Sequence, residues 1–268
     1  MSKKSVAKTW ETVRIESGKL IKWRLGPLFI WCKKINEELR VAHRILESTN
    51  TEERTIQSTP KNIDWMRFTL HPKFDKIHLV PAFPDRPVVI QPETIFKLTR
   101  DTSAKIYVRV PLWIAIELIG VTKTTLIEIP SVTLSNTWFG SFFDGRLCYW
   151  ITSGAQRVYR KKLSRPYLAV CPILLTNNSG EELSVERICL QVSGLSLFFD
   201  GEQLWSDDVS ILYKGAERGS QIEATGKPPH EAAAAKLIGQ PRQPQKKSFI
   251  AKTFASLKDL PGLGIIIN

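Results

Sequence analysis

The sequence has no cysteine pair at C-x-x-C spacing, and its four cysteines, Cys32, Cys148, Cys171 and Cys189, each lie in an apolar run. That argues against a zinc centre or dithiol redox motif and marks them as small buried hydrophobes in a reducing compartment. Cys171 and Cys189 stand about equally far from the turn at residues 177–180, an arrangement in which they face each other across a hairpin. Long hydrophobic runs are missing as well. The most apolar stretch, residues 110–120, contains a Pro and a Glu and falls short of the roughly 20 residues that span a bilayer. The N-terminus begins with positive charge but no apolar stretch follows, so it does not read as a secretory signal. A cytoplasmic protein is expected, with peripheral contact at the inner membrane face as the variant. No P-loop, Rossmann glycine pattern, G-x-S-x-G or H-E-x-x-H occurs. Neither enzyme activity nor a cofactor nor a metal is therefore expected.

What is present points to β-structure. The 268 residues suffice for one large domain or two ordinary ones. Eight Trp and sixteen Pro suit aromatics packed across pleated faces and strands punctuated by proline. Residues 20–25, 28–34 and 39–46 alternate in β fashion around Gly26-Pro27 and Asn36-Glu37, predicting a three-strand meander. Residues 47–61 are polar and read as a loop. Short runs then recur about every 8–12 residues as far as Tyr213, the spacing of a β-sandwich, with Pro111 as a bulge or edge point.

The predicted fold is all-β: two immunoglobulin-like antiparallel sandwiches, or one elongated double sandwich, with a short C-terminal helical tail. The expected divisions are an N-terminal sandwich over 1–130, a second over 131–214, a loosely ordered linker over 215–247 with a short helix in its Ala232 to Ala235 run, and a basic amphipathic helix with an apolar end over 248–268. That helix rests on Ser248 as N-cap and on Ile250, Phe254 and Leu257 at i, i+4 and i+7.

The densest aromatic stretch, residues 136–150, reads NTWFGSFFDGRLCYW. Burying six large side chains at about 1.5–3 kcal/mol each matches or exceeds the whole net stability of a domain, about 5–15 kcal/mol, so most belong in a core. Trp138 and Phe139, which precede Gly140, are the expected exposed contacts. The string Phe-Phe-Asp-Gly occurs at 142–145 and again at 198–201, and each Asp-Gly suggests a two-residue type I′ hairpin turn between apolar flanks.

The formal net charge of +12 favours acidic partners. It is spread over several clusters rather than one block, which argues against nucleic acid. The sharpest cluster is Arg157, Arg160, Lys161, Lys162 and Arg165, with Tyr159 and Tyr167 interleaved. A second set is Lys246, Lys247, Lys252, Phe254 and Lys258 in the tail. Both are candidate contacts for a protein partner or an anionic membrane, against the plainer reading of solvated edges. His71, Asp75 and His78 share no helical face, so a metal site there is not expected. The acidic pairs Glu181-Glu182 and Asp207-Asp208 each point to opposite faces of an extended chain, poor geometry for paired carboxylates.

Several strings together resemble an uncharacterised prokaryotic family, the domain of unknown function four hundred and thirty-two. They are Trp23-Arg24-Leu25-Gly26-Pro27-Leu28 with Leu39-Arg40-Val41-Ala42, Arg86-Pro87-Val88-Val89 with Gln91-Pro92-Glu93, Val110-Pro111-Leu112-Trp113, Thr137-Trp138-Phe139-Gly140 with Gly145-Arg146-Leu147-Cys148-Tyr149, and Pro172-Ile173 with Asn177-Asn178-Ser179. The likeness covers about residues 8–214 and carries no site residues. It implies an accessory protein, sometimes encoded beside small mechanosensitive channels. The function expected is thus a non-enzymatic interaction module docking on a membrane-protein partner or an anionic surface. A ligand- or carbohydrate-binding sandwich is the alternative, and a hydrolase the third reading.

Overall fold

The computed structural model describes residues 8–46, 62–161, 165–244 and 248–255. It is nearly all β and sandwich-like, as the strand spacing predicts. The chain forms two compact units, both discontinuous. One comprises residues 1–81 and 112–133, the other residues 82–111 and 134–268. This differs from the sequential division expected at 130 and 214. The chain leaves one unit and re-enters it, crossing at Pro111, which ends a strand rather than bulging within one.

The first unit contains β1 (Val13–Arg14), β2 (Leu20–Leu25), β3 (Leu28–Ile35), β4 (Glu38–Ile45), β5 (Met66–Thr69), β6 (Lys76–Ala82, whose last residue belongs to the other unit), β10 (Trp113–Ile119) and β11 (Lys123–Pro130). The meander appears as predicted, extended by one strand in the order β2-β3-β4-β5. Leu25 pairs with Leu28 and Ile35 with Glu38, so each connection has two residues, and Gly26 and Asn36 supply the positive φ that such tight turns need. Phe29, Trp31 and Ala42 pack on one face of β3 and β4, while Ile30 and Cys32 are fully buried on the other. The second sheet runs β1-β6-β10-β11. The expected loop at 47–61 lies outside the described residues.

The second unit holds β7 (Val88–Pro92), β8 (Phe96–Leu98), β9 (Ser103–Pro111), β12 (Ser135–Phe139), β13 (Arg146–Ala155), β14 (Leu168–Asn177), β15 (Leu183–Val185), β16 (Arg187–Leu190), β17 (Leu197–Phe199), β18 (Leu204–Trp205), β19 (Val209–Tyr213), β20 (Ser220–Ala224), β21 (Lys236–Gly239), β22 (Ser248–Ala251) and β23 (Phe254–Ala255). A five-stranded sheet runs β12-β13-β7-β16-β23. In an eight-stranded sheet β14 pairs along its length with β9, while β18 and then β19 occupy its other edge. The pairings β13–β7, β14–β18 and β14–β19 are parallel among otherwise antiparallel neighbours.

Two expectations for the C-terminal part are corrected. Residues 215–244 are not a loose linker: they carry β20, a 3-10 turn at His230–Ala232 in place of a short helix, and β21. Gly215 and Gly219, both at positive φ, close the β19–β20 hairpin that composition alone had read as flexible. The stretch from Ser248 is not a helix either. Residues 248–251 add to the edge of β20, and Phe254 and Ala255 add to β16. A two-turn helix is marginal in water, whereas the open edges of β20 and β16 offer a complete set of ladder partners. Residues 256–268, including Lys258 and the apolar end, lie outside the described residues.

Candidate interaction surfaces

Two exposed features lie at opposite ends of β13. The first is the β12–β13 hairpin. Phe139 pairs with Arg146, so residues 140–145 form a six-residue loop, not a two-residue turn. Gly140 takes the positive φ, and Gly145 sits so close beneath the Trp138 indole that a Cβ there would meet Nε1 at 2.1 Å. Ser141 and Asp144 organise the loop. Ser141 donates to Asp144 Oδ1 from its amide at 3.2 Å and also from its hydroxyl, the Gly145 amide donates to Ser141 O at 2.9 Å, and Trp138 Nε1 donates to the same carbonyl at 2.9 Å. The Ser141 hydroxyl and the nearby Lys252 ammonium, at 3.9 Å, hold the Asp144 carboxyl below its usual range.

This framework pushes Phe142 and Phe143 outward, 79% and 95% exposed, edge to face with ring centroids 5.5 Å apart. Placing them in a core is corrected here. So is the exposure expected of Phe139, which at 2% is packed with Val89, Cys148, Cys189 and Ala255. Alternation decides it: Phe139 lies on the inner face of β12 and Trp138 on the outer, beside Leu147 across the ladder. Trp138 is 38% exposed. The missed signal is the spacing Gly140-Ser141-x-x-Asp144-Gly145, a hydroxyl and a carboxylate three apart inside two glycines, which builds a self-bonded loop.

The second feature is the basic segment after β13. Gln156 bridges to Tyr107 through paired backbone hydrogen bonds of 2.8 and 3.0 Å. The buried Arg109 guanidinium donates to Gln156 Oε1 and to Arg160 O, each at 2.9 Å. Tyr159 inserts its ring between Tyr107 and Trp205, with centroids 5.8 and 5.0 Å away. Tyr107 donates to Glu231 Oε1 at 2.6 Å, and Lys105 lies 2.7 Å from the same oxygen. Burial, then that hydrogen bond, pushes the Tyr107 phenol up to about 12.

The segment is thus held from within while its basic side chains face outward. Arg157 stacks over Phe96 at 5.6 Å, Lys161 pairs with Glu202 at 2.7 Å, and Arg160 and Arg165 are exposed. Val158 between them is 66% exposed. Four of the five predicted basic residues therefore share this segment, and Lys162 lies outside the described residues, as do Lys246 and Lys247. Lys252, just after β22, reaches toward Asp144 of the hairpin loop, and Phe254 is half-buried, edge-on to Tyr213 at 5.5 Å.

The remaining candidates disperse. Cys189 faces Cys148, not Cys171, with sulfurs 3.9 Å apart, because β13 and β16 flank β7 while β14 belongs to the other sheet. Burial pushes the Cys171 thiol up to about 12. His78 Nε2 donates to Trp10 O at 2.9 Å, and His71 Nδ1 accepts from the Lys73 amide. Asp207 is fully buried, with its carboxyl pushed up to about 7 by burial, whereas Asp208 accepts from the His230 amide at 3.0 Å. Glu182 pairs with Lys97 at 2.7 Å. A cleft of about 500 Å³ beside the loop is bordered by Ser141, Tyr213, Ser220, Lys252 and Phe254. Among the described residues no helix is long and apolar enough to cross a membrane.

No curated protein and no solved structure matches the chain. The family described as "Protein of unknown function (DUF432)" matches residues 9–258, nearly the whole length and well beyond the stretch that carried the resemblance, and the chain belongs to that family.

Proposed function

We propose that the protein is a non-enzymatic interaction module that docks on an acidic surface of a protein partner through residues 156–161 together with Arg165. The carrying observation is the way this segment is held: Arg109 fixes the Arg160 carbonyl, Tyr159 is wedged between Tyr107 and Trp205, and Arg157, Arg160 and Arg165 face solvent. A contact segment already fixed in place loses little ordering entropy on binding, and a cluster of one charge speeds encounter with its complement. The scatter of the His, Asp and Glu candidates over unrelated strands supports the non-enzymatic part of the reading. The partner implied by the family resemblance is a membrane protein of the small mechanosensitive channel kind, with the module on the cytoplasmic side.

The test is affinity capture from native membranes solubilised in mild detergent, using wild type and Arg157→Glu/Arg160→Glu side by side. A membrane-protein partner is expected with wild type, fading as salt is raised and lost with the double variant. Identical captured sets for the two proteins would overturn the proposal.

A further inference from the structure

We propose that the loop at residues 140–145 is a wedge that inserts Phe142 and Phe143 into the interfacial layer of an anionic bilayer. This contact is separate from the basic segment. The two lie at opposite ends of β13, whose ten residues span about 33 Å at roughly 3.3 Å each. That is several times the Debye length of about 8 Å at physiological salt, so neither surface sets the field at the other. Failure of either proposal leaves the other standing.

Three observations favour lipid as the occupant. The apolar payload is outermost, with two rings 79% and 95% exposed at the end of the hairpin. Behind it comes Trp138, half-exposed, with its indole N–H already bonded to Ser141 O. Trp at the headgroup level with Phe ahead of it is the order in which these side chains partition across a membrane interface.

Second, the loop bonds several of its own polar groups. The amides of Ser141, Asp144 and Gly145 and the Ser141 hydroxyl all find acceptors inside the loop. The Asp144 carboxylate keeps its charge, bonded by Ser141 and with the Lys252 ammonium 3.9 Å away as its counterion. A surface meeting a protein groove has no need of this, because the groove supplies partners. A loop leaving water for the interfacial layer loses less when its polar groups are already bonded.

Third, the cations sit at the base and not at the tip. Arg146 is exposed directly after the loop, and Lys252 reaches Asp144 from β22's end. Long basic side chains at that height extend toward headgroup phosphates while the rings go deeper.

Flotation of the full chain with phosphatidylcholine–phosphatidylglycerol vesicles tests the wedge. Wild type is expected to float and to retain much of its binding at high salt, because the attraction is mainly apolar. Phe142→Ser/Phe143→Ser should lose about 100-fold in partition, roughly tenfold for each ring withdrawn from the interface, with its thermal unfolding unchanged. A second readout uses Phe143→Cys labelled with an environment-sensitive dye. The four native cysteines are all buried, so the label reports only the tip, and its emission should shift to the blue on vesicles. Absence of wild-type flotation, equal flotation of the double variant, or an unshifted dye would each overturn the wedge. A dye that shifts only with captured protein, and not with vesicles, would overturn it in favour of a groove on a partner.

Discussion

The same four residues, Phe-Phe-Asp-Gly, meet opposite fates at 142–145 and 198–201. Phe198 is 4% exposed, packed with Val170, Trp205 and Ala232, whereas Phe142 and Phe143 face solvent almost entirely. The difference lies in register. At the second site the two Phe belong to β17 and pair with Trp205 and Leu204, leaving a four-residue loop in which Gly201 takes positive φ. Asp200 there accepts from the amides of Glu202 and Gln203 and from Trp205 Nε1, at 2.7–2.9 Å. At the first site pairing stops three residues before Phe142, so all four residues fall in the loop. A local string thus specifies that the chain will turn. Where the ladder ends decides which side chains are buried.

The largest effect that sharpens this contrast comes from truncating one Phe at each site. Phe198→Ala should cost about 3–5 kcal/mol in urea unfolding, as for other core Phe, while Phe143→Ala should stay within about 0.5 kcal/mol. Similar losses at both positions would break the comparison.

The glycines give a smaller effect with the opposite ranking. A Cβ at Gly145 would lie 2.1 Å from Trp138 Nε1 and 2.5 Å from Ser141 O, so Gly145→Ala should cost about 2 kcal/mol and alter the fluorescence of Trp138. Gly201 has open space around its Cβ position and carries only the penalty of φ +96°, about 1 kcal/mol for Ala. A milder effect at Gly145 than at Gly201 would mean that the indole does not brace the tip.

A pH-dependent effect of similar size concerns the foot of the buried hairpin, where the Ser196 amide donates to Asp207 Oδ2. Burial raises the Asp207 carboxyl to about 7 in the folded chain, above the ordinary value near 3.9 of the unfolded one. The folded state therefore holds this proton more tightly, and stability falls as pH rises through the interval between the two values. Above the folded value the loss is complete. Lowering pH from 8 to 6 should restore about 1.4 kcal/mol through this group, and Asp207→Asn should flatten that slope. Unfolding midpoints for the two proteins across the interval provide the check, and parallel profiles would remove Asp207 as the cause.

Much of the first unit was legible because its meander is local: Gly26-Pro27 and Asn36-Glu37 announce both turns, and alternation announces the strands. The parallel pairs of the second unit were not, since nothing near Val88 signals that Tyr149 will lie beside it. The helix predicted from Ser248 shows the same limit. Three apolar residues at helical spacing fit a helix until distant strand edges compete for the backbone. At the candidate surfaces, charge singles out Arg157, Arg160, Lys161 and Arg165, and all four are exposed. What fixes that segment, the buried Arg109 and the inserted Tyr159, depends on β9 and β18 and has no local mark. The exposed Phe pair was hidden by a sound burial argument applied to side chains whose ladder had already ended.

The crossing at Pro111 also has a consequence during synthesis. Residues 82–111 emerge from the ribosome before the first unit receives its closing strands β10 and β11, which arrive by Pro130. β9 cannot complete its ladder until β14 appears, since Pro111 pairs with Leu168 and Ser103 with Thr176. One unit can therefore be complete while β7 to β9 of the other are still waiting, apolar and unpaired, for strands not yet translated. Such delayed long-range pairing is the slow kind, and the sheets of the second unit are complete only once β22 and β23 have been made.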